Sequence, residues 1–120
     1  MSAPEILHEN GVTIVELGKS YQRLGEDRIS EVSKVLMEAS QAEPPLVLID
    51  LSQTEFFSSS FIEVLFRVWN RIQPREGGRF ALCGLTPYCA EVLQVTNLDK
   101  LWEIYETRDA ALQALPSHAA

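Results

Sequence analysis

The run Leu46-Val47-Leu48-Ile49-Asp50-Leu51 constrains the fold more than any other stretch. Five aliphatic side chains interrupted by one carboxylate suit a central strand of a parallel sheet, covered on both faces. Phe56-Phe57-Ser58-Ser59-Ser60-Phe61 follows a few residues later and delivers three hydroxyls to a predicted helix start. Beyond it, Phe61, Leu65, Val68 and Ile72 recur at helical spacing, with Ile62, Phe66 and Trp69 on an adjoining stripe. Serines at that boundary can accept hydrogen bonds from the free N–H groups of the first turn. The same N–H groups and the positive end of the helix dipole also suit a phosphate. A cap and an anion site therefore compete for the same residues.

A chain of 120 residues is expected to form one domain, with its core over about residues 6–115, and is too short for two of ordinary size. Seventeen acidic against ten basic side chains give a formal charge of −7, which argues against nucleic-acid or anionic-membrane binding and toward proteins or small molecules as partners. The apolar runs are strand-sized, and Met1-Ser2-Ala3-Pro4-Glu5 shows no leader pattern, so membrane insertion is not expected and a cytosolic location is. Cys83 and Cys89 are separated by five residues, which matches neither redox nor common zinc-ligand spacing. They read as buried apolar fillers. His8 and His118 lie near opposite ends without a neighbouring nucleophile or ligand cluster, and Gly77-Gly78 precedes a strand rather than a helix. Neither a metal nor another cofactor is implied.

Along the chain, a short strand from Ile6 and a second over Val12 to Leu17 flank Asn10-Gly11, a hairpin turn. A polar connection from Gly18 to Asp27 contains Tyr21, Arg23 and Leu24 and leads to a helix with Ile29, Val32, Leu36 and Ala39 on one face, stopped by Pro44-Pro45. After the Leu46 strand and the Ser58 helix come a strand over Arg79 to Cys83, a helix opened by Thr86-Pro87 with Tyr88, Val92 and Val95 as its apolar face, and a terminator at Asn97. Leu101 to Tyr105 reads as a last strand, and Thr107 caps a final helix ended by Pro116. The order ββαβαβαβα predicts an α/β sheet with helical crossovers.

Asp50-Leu51, Phe56-Phe57-Ser58-Ser59-Ser60, Gly77-Gly78-Arg79, Leu85-Thr86-Pro87, Leu93, Asn97-Leu98-Asp99-Lys100-Leu101 and Ala110-Ala111-Leu112 fall in the order and spacing of STAS domains. Over roughly Ile6 to Leu115 the chain resembles a stand-alone STAS protein of the anti-sigma factor antagonist type. The resemblance implies a mixed sheet of four or five strands with helices packed mainly on one side. It also implies a switch. In that family an Asp-Ser-Ser-Gly or Asp-Ser-Thr-Gly loop stands at a helix N-terminus, and its first hydroxyl is phosphorylated by a partner kinase that also sequesters a sigma factor. Carried over, the aspartate position is Ser58, the phosphoacceptor Ser59, the next hydroxyl Ser60, and the glycine Phe61. Ser58 removes a negative charge beside the acceptor, and Phe61 puts a ring where the family keeps the surface bare.

For Ser58, Ser59 and Ser60 two readings stand side by side: capping of the first helical turn, or phosphorylation centred on Ser59, whose added charge of about −1.5 to −2 would repel an acidic partner. Phe56, Phe57 and Phe61 read as packing residues, with Phe61 also a candidate partner contact. Glu63, Arg67 and Arg71 step by four along the polar face, where Glu63 and Arg67 form either a solvated pair or part of a partner surface. Asp50 ends the strand where α/β enzymes place catalytic groups, yet it has no complete constellation around it. The functional readings are a non-enzymatic signalling module docking on a serine kinase/anti-sigma factor or a signalling scaffold, an accessory subunit of a lipid-transport ATPase complex, and a small enzyme or ligand carrier using Asp50 and the serines.

Overall fold

The structure, a computed structural model, describes residues 4–18, 23, 24 and 26–115. Tyr21 and His118 lie outside them, and Arg23 is described by its backbone alone. The elements are β1 (Glu5–Glu9), β2 (Val12–Glu16), β3 (Arg23–Leu24), α1 (Glu26–Ala39), β4 (Leu46–Asp50), β5 (Phe56–Phe57), α2 (Ser59–Ile72), β6 (Arg79–Cys83), α3 (Pro87–Val95), a 3₁₀ turn (Leu98–Lys100), β7 (Glu103–Tyr105) and α4 (Arg108–Ala114). The main sheet runs β1-β2-β4-β6-β7, with β1 antiparallel to β2 and all other neighbours parallel. This is the expected mixed α/β arrangement. Asn10 at φ 53° and Gly11 at φ 79° make the hairpin turn, the pair of left-handed residues that a two-residue connection requires.

β4 is buried along its whole length, as the aliphatic run requires of a central strand. Alternation along the strands splits the core into two layers. Val15, Val47, Ile49, Phe80 and Leu82 face α1, α2 and α3, whose Val32, Leu36, Phe61, Val64, Leu65, Val68, Cys89 and Leu93 complete the larger layer. Val12, Ile14, Leu46, Leu48, Ala81 and Cys83 point the other way and meet Ala111, Leu112 and Leu115 at α4. Three helices thus cover one face and one covers the other.

The sequence order is corrected in two places. Arg23–Leu24 and Phe56–Phe57 form an additional two-stranded parallel sheet, inside stretches read above as connections. Two-residue strands carry no periodicity to detect. The last strand begins at Glu103 rather than Leu101, because Asn97 enters the left-handed region at φ 63° and starts a 3₁₀ turn that consumes Leu98 to Lys100. Trp102 is then buried against Phe66 and Phe80, at ring-centroid distances of 5.1 and 5.6 Å.

Candidate docking site at the start of α2

The loop from β4 to α2 is fastened before it reaches the serines. Ser52 N–H donates to Asp50 Oδ1 at 2.9 Å, and Leu51 N–H donates to the Cys83 carbonyl at 3.0 Å. Buried Thr54 offers its carbonyl to the Thr86 hydroxyl at 3.0 Å and to the Cys89 thiol at 3.6 Å. Thr86 therefore ties α3 to this loop and does not cap its own helix, as the Thr86-Pro87 signal had suggested. Gly84 sits at φ +71°, where a Cβ would stand 2.9 Å from Ser52 Cβ. A left-handed residue with a loop against it leaves room for glycine alone.

α2 begins at Ser59, with Ser58 at the N-cap in extended conformation. The Ser58 carbonyl accepts from Phe61 and Ile62 N–H at 3.1 and 3.3 Å. Its hydroxyl makes no cap hydrogen bond, and Ser58 Oγ is buried without a partner. The capping reading is corrected for Ser58. Ser59 is exposed at the first position of the helix and Ser60 is half-buried beside it. The first turn of α2 carries no acidic side chain, so nothing local to the helix neutralises its positive end.

Phe61 points inward. It is 0% exposed and packs on Phe57 at a centroid distance of 5.3 Å. As a partner contact it is corrected, since a ring enclosed in the core touches no partner surface. For the same reason it does not crowd Ser59, although the sequence suggested that it would. Restoring a glycine there would excavate the core, at a cost of about 3–5 kcal/mol or more. Glu63 and Arg67 are exposed on the outer face of α2 and form no ion pair with each other. They remain available to a partner.

Sequence reasoning found the neighbouring α3 but missed that its Tyr88 face is exposed. Tyr88 is 48% exposed and Val95 75% exposed; together with half-buried Val92 they make an apolar stripe beside Glu91 and Thr96, around a hollow of about 280 Å³. The spacing had been read as a buried face, but Cys89 and Leu93 supply that face instead. Tyr88 stacks on half-buried Phe56 at 5.7 Å and 28°. The signal available in the sequence was that Tyr88, Val92 and Val95 are apolar in a short helix that already had Cys89 and Leu93 to bury.

Asp50 is held on the opposite side of the sheet. Its Oδ2 accepts from Arg108 Nε at 3.0 Å and Nη2 at 2.7 Å, and Arg108 also pairs with Glu16. Burial works against the Arg108 charge, but the hydrogen bonds to Asp50 and Glu16 outweigh it and its pKa is raised. Alternation places Asp50 with Leu46 and Leu48 toward α4, whereas α2 packs on the other face. Asp50 and the serines do not form one site. Burial pushes the Cys83 thiol up to about 12, with the Asp50 charge adding to the shift, and burial also raises Cys89. Neither is an activated nucleophile. Among the described residues no helix is long and apolar enough to cross a membrane.

Known proteins share this arrangement. A curated relative, an anti-sigma F factor antagonist of Paenibacillus polymyxa, is 26% identical over 111 residues, 92% of each chain. An anti-sigma-factor antagonist (STAS) domain protein from Planctomyces limnophilus superimposes at a TM-score of 0.89 with 44% identity, covering 93% of this chain and 97% of its own. An anti-sigma factor antagonist from Mycobacterium paratuberculosis shares the fold at a TM-score of 0.82 and 24% identity, with 93% and 92% covered. The family model described as the STAS domain matches residues 4–111. The buried central strand, the fastened loop and the helix opening on Ser59 are thus those of a protein that belongs to the STAS domain family.

Proposed function

We propose that this protein is a non-enzymatic, cytosolic signalling module of the anti-sigma-factor-antagonist type, docking on a protein partner through the start of α2 and the exposed stripe of α3. The partner is a serine kinase/anti-sigma factor or a signalling scaffold, and Ser59 is the regulated position. The relatives named as antagonists support the class. The observation that carries the site is the exposure of Ser59 at the first turn of α2, three residues after Phe56, whose ring stacks on the exposed Tyr88 of α3.

Phosphorylation there would act on binding more than on folding. A phosphate carrying about −1.5 to −2 charges is tolerated at a helix start. It is strongly hydrated, so enclosing it beside an apolar stripe in a complex costs desolvation. The modified protein releases its partner, and the unmodified one docks.

A tagged pull-down from the native lysate tests this reading, with intact-mass and phosphopeptide analysis of the recovered protein. Recovery of a serine kinase on unmodified protein, with a phosphate on Ser59 in the fraction that holds no partner, supports it. Recovery of a transporter ATPase with Ser59 never modified would replace it with the accessory-subunit role.

A further inference from the structure

The other flank of α3 carries a second feature, independent of Ser59. β7 is an edge of the main sheet, so one side of its backbone has no strand beside it among the described residues. The register pairs Leu82 with Ile104, and Gly84 N–H donates to the Tyr105 carbonyl. In a parallel ladder, alternate residues turn both backbone groups to the same neighbour. Glu103 and Tyr105 therefore bond toward β6, and Ile104 presents its N–H and C=O outward.

The Ile104 side chain lies on the α3 side and is half-buried. With Leu85 and Ala90 it lines two adjoining hollows of about 310 and 410 Å³ between α3 and the free edge. Asp99 lines one and Glu106 the other, and both residues are exposed. On the opposite face of β7, the Glu103 charge is already taken by Arg79.

We propose that the groove between α3 and the Ile104 edge binds an extended segment of a basic partner protein, added as a further strand beside β7. The outward donor and acceptor of Ile104 select an extended backbone. Leu85, Ala90 and Ile104 take its apolar side chains, and Asp99 and Glu106 take its cationic ones. A second copy of this chain fits poorly: its other sheet edge, β1, reads EILHE and brings Glu5 and Glu9 to carboxylates, within a chain of net charge −7.

The test uses the full chain, labelled with ¹⁵N, titrated with the peptide acetyl-Lys-Val-Arg-Leu-Lys-Val-amide and with its counterpart carrying Glu at the three basic positions. The basic peptide is expected to bind and to slow hydrogen exchange of the Ile104 amide by about ten-fold or more, while the acidic one does not bind. Ile104→Pro removes the outward donor without breaking the ladder to β6 and should abolish binding, whereas Ile104→Val should retain it. If Ile104→Pro fails to fold, the double variant Asp99→Asn with Glu106→Gln decides, with affinity for the basic peptide lowered by about ten-fold. Unchanged exchange at Ile104 under saturating basic peptide, equal binding of the two peptides, or shifts confined to Tyr88, Val92 and Val95 would each overturn the proposal.

Discussion

Tyr88 lies over Phe56 with ring centroids 5.7 Å apart and planes 28° from parallel. That contact joins the first turn of α3 to the residues just before Ser59, and the Thr86 to Thr54 hydrogen bond fastens the same two segments from beneath. The segment that leads into α2 and the first turn of α3 are thus held in one geometry, so a partner docked as proposed on the serine would meet α3 as well.

The Ser58 hydroxyl separates two physical accounts of the helix start. A capping serine costs about 1 kcal/mol when replaced by alanine. Here Ser58 Oγ is enclosed and unbonded, and removing an unsatisfied buried polar group relieves its desolvation penalty. Ser58→Ala is expected to leave stability unchanged or raise it by up to about 1 kcal/mol. Urea unfolding measures this directly, and a loss of about 1 kcal/mol would restore the cap.

Arg108 spans α4, β4 and β2 through Asp50 and Glu16. Arg108→Ala leaves the nearly enclosed Asp50 carboxylate without its cation, a change that costs about 3 kcal/mol or more when a buried pair is broken. Chemical denaturation should show that loss. Peptide-probe binding and partner binding at α2 should survive in the fraction that remains folded, because α4 packs on the opposite face.

Cys83 predicts the alkaline limb of stability. Its folded pKa is pushed up from 9.0 to about 12, first by burial and then by the Asp50 charge. Between these values the folded chain holds a proton that the unfolded chain has lost, so stability is intact below pH 9 and falls as pH rises toward 12. Cys83→Ala should flatten that part of the curve relative to wild type. Identical slopes from pH 9 to pH 11 in the two proteins would contradict the assignment.

Much of the architecture is legible in the sequence. The Leu46 run needs two covering layers, and helical spacing places Val32 and Leu36 in α1 and Leu65 and Val68 in α2, all buried as read. Thr107 caps α4, with its Oγ1 accepting from Ala110 N–H at 3.1 Å. The site was less legible, because its residues answer to tertiary neighbours rather than to their own periodicity. Ser58 and Thr86 are both good cap residues by type, yet the first hydroxyl is enclosed and the second reaches across to Thr54. Phe61 is the core ring that its helical spacing indicated and not the partner contact that the family register also suggested, while Tyr88 and Val95 looked like core and are surface. The Asp50 carboxylate gave no sign in sequence of a partner 58 residues away at Arg108.

The regulated docking of Ser59 is tested most directly by quantitative recovery of partner from native lysate on immobilised wild type, Ser59→Ala and Ser59→Asp, with thermal unfolding of the three proteins alongside. Charge at a helix start is worth about 0.3–1 kcal/mol, so all three should unfold at nearly the same temperature, with Ser59→Asp level or slightly higher. Ser59→Ala is predicted to hold its partner at the wild-type level or above, and Ser59→Asp to lose about ten-fold or more of it, the equivalent of about 1.4 kcal/mol. Equal recovery on Ser59→Ala and Ser59→Asp would contradict the account and leave a docking module that Ser59 does not control.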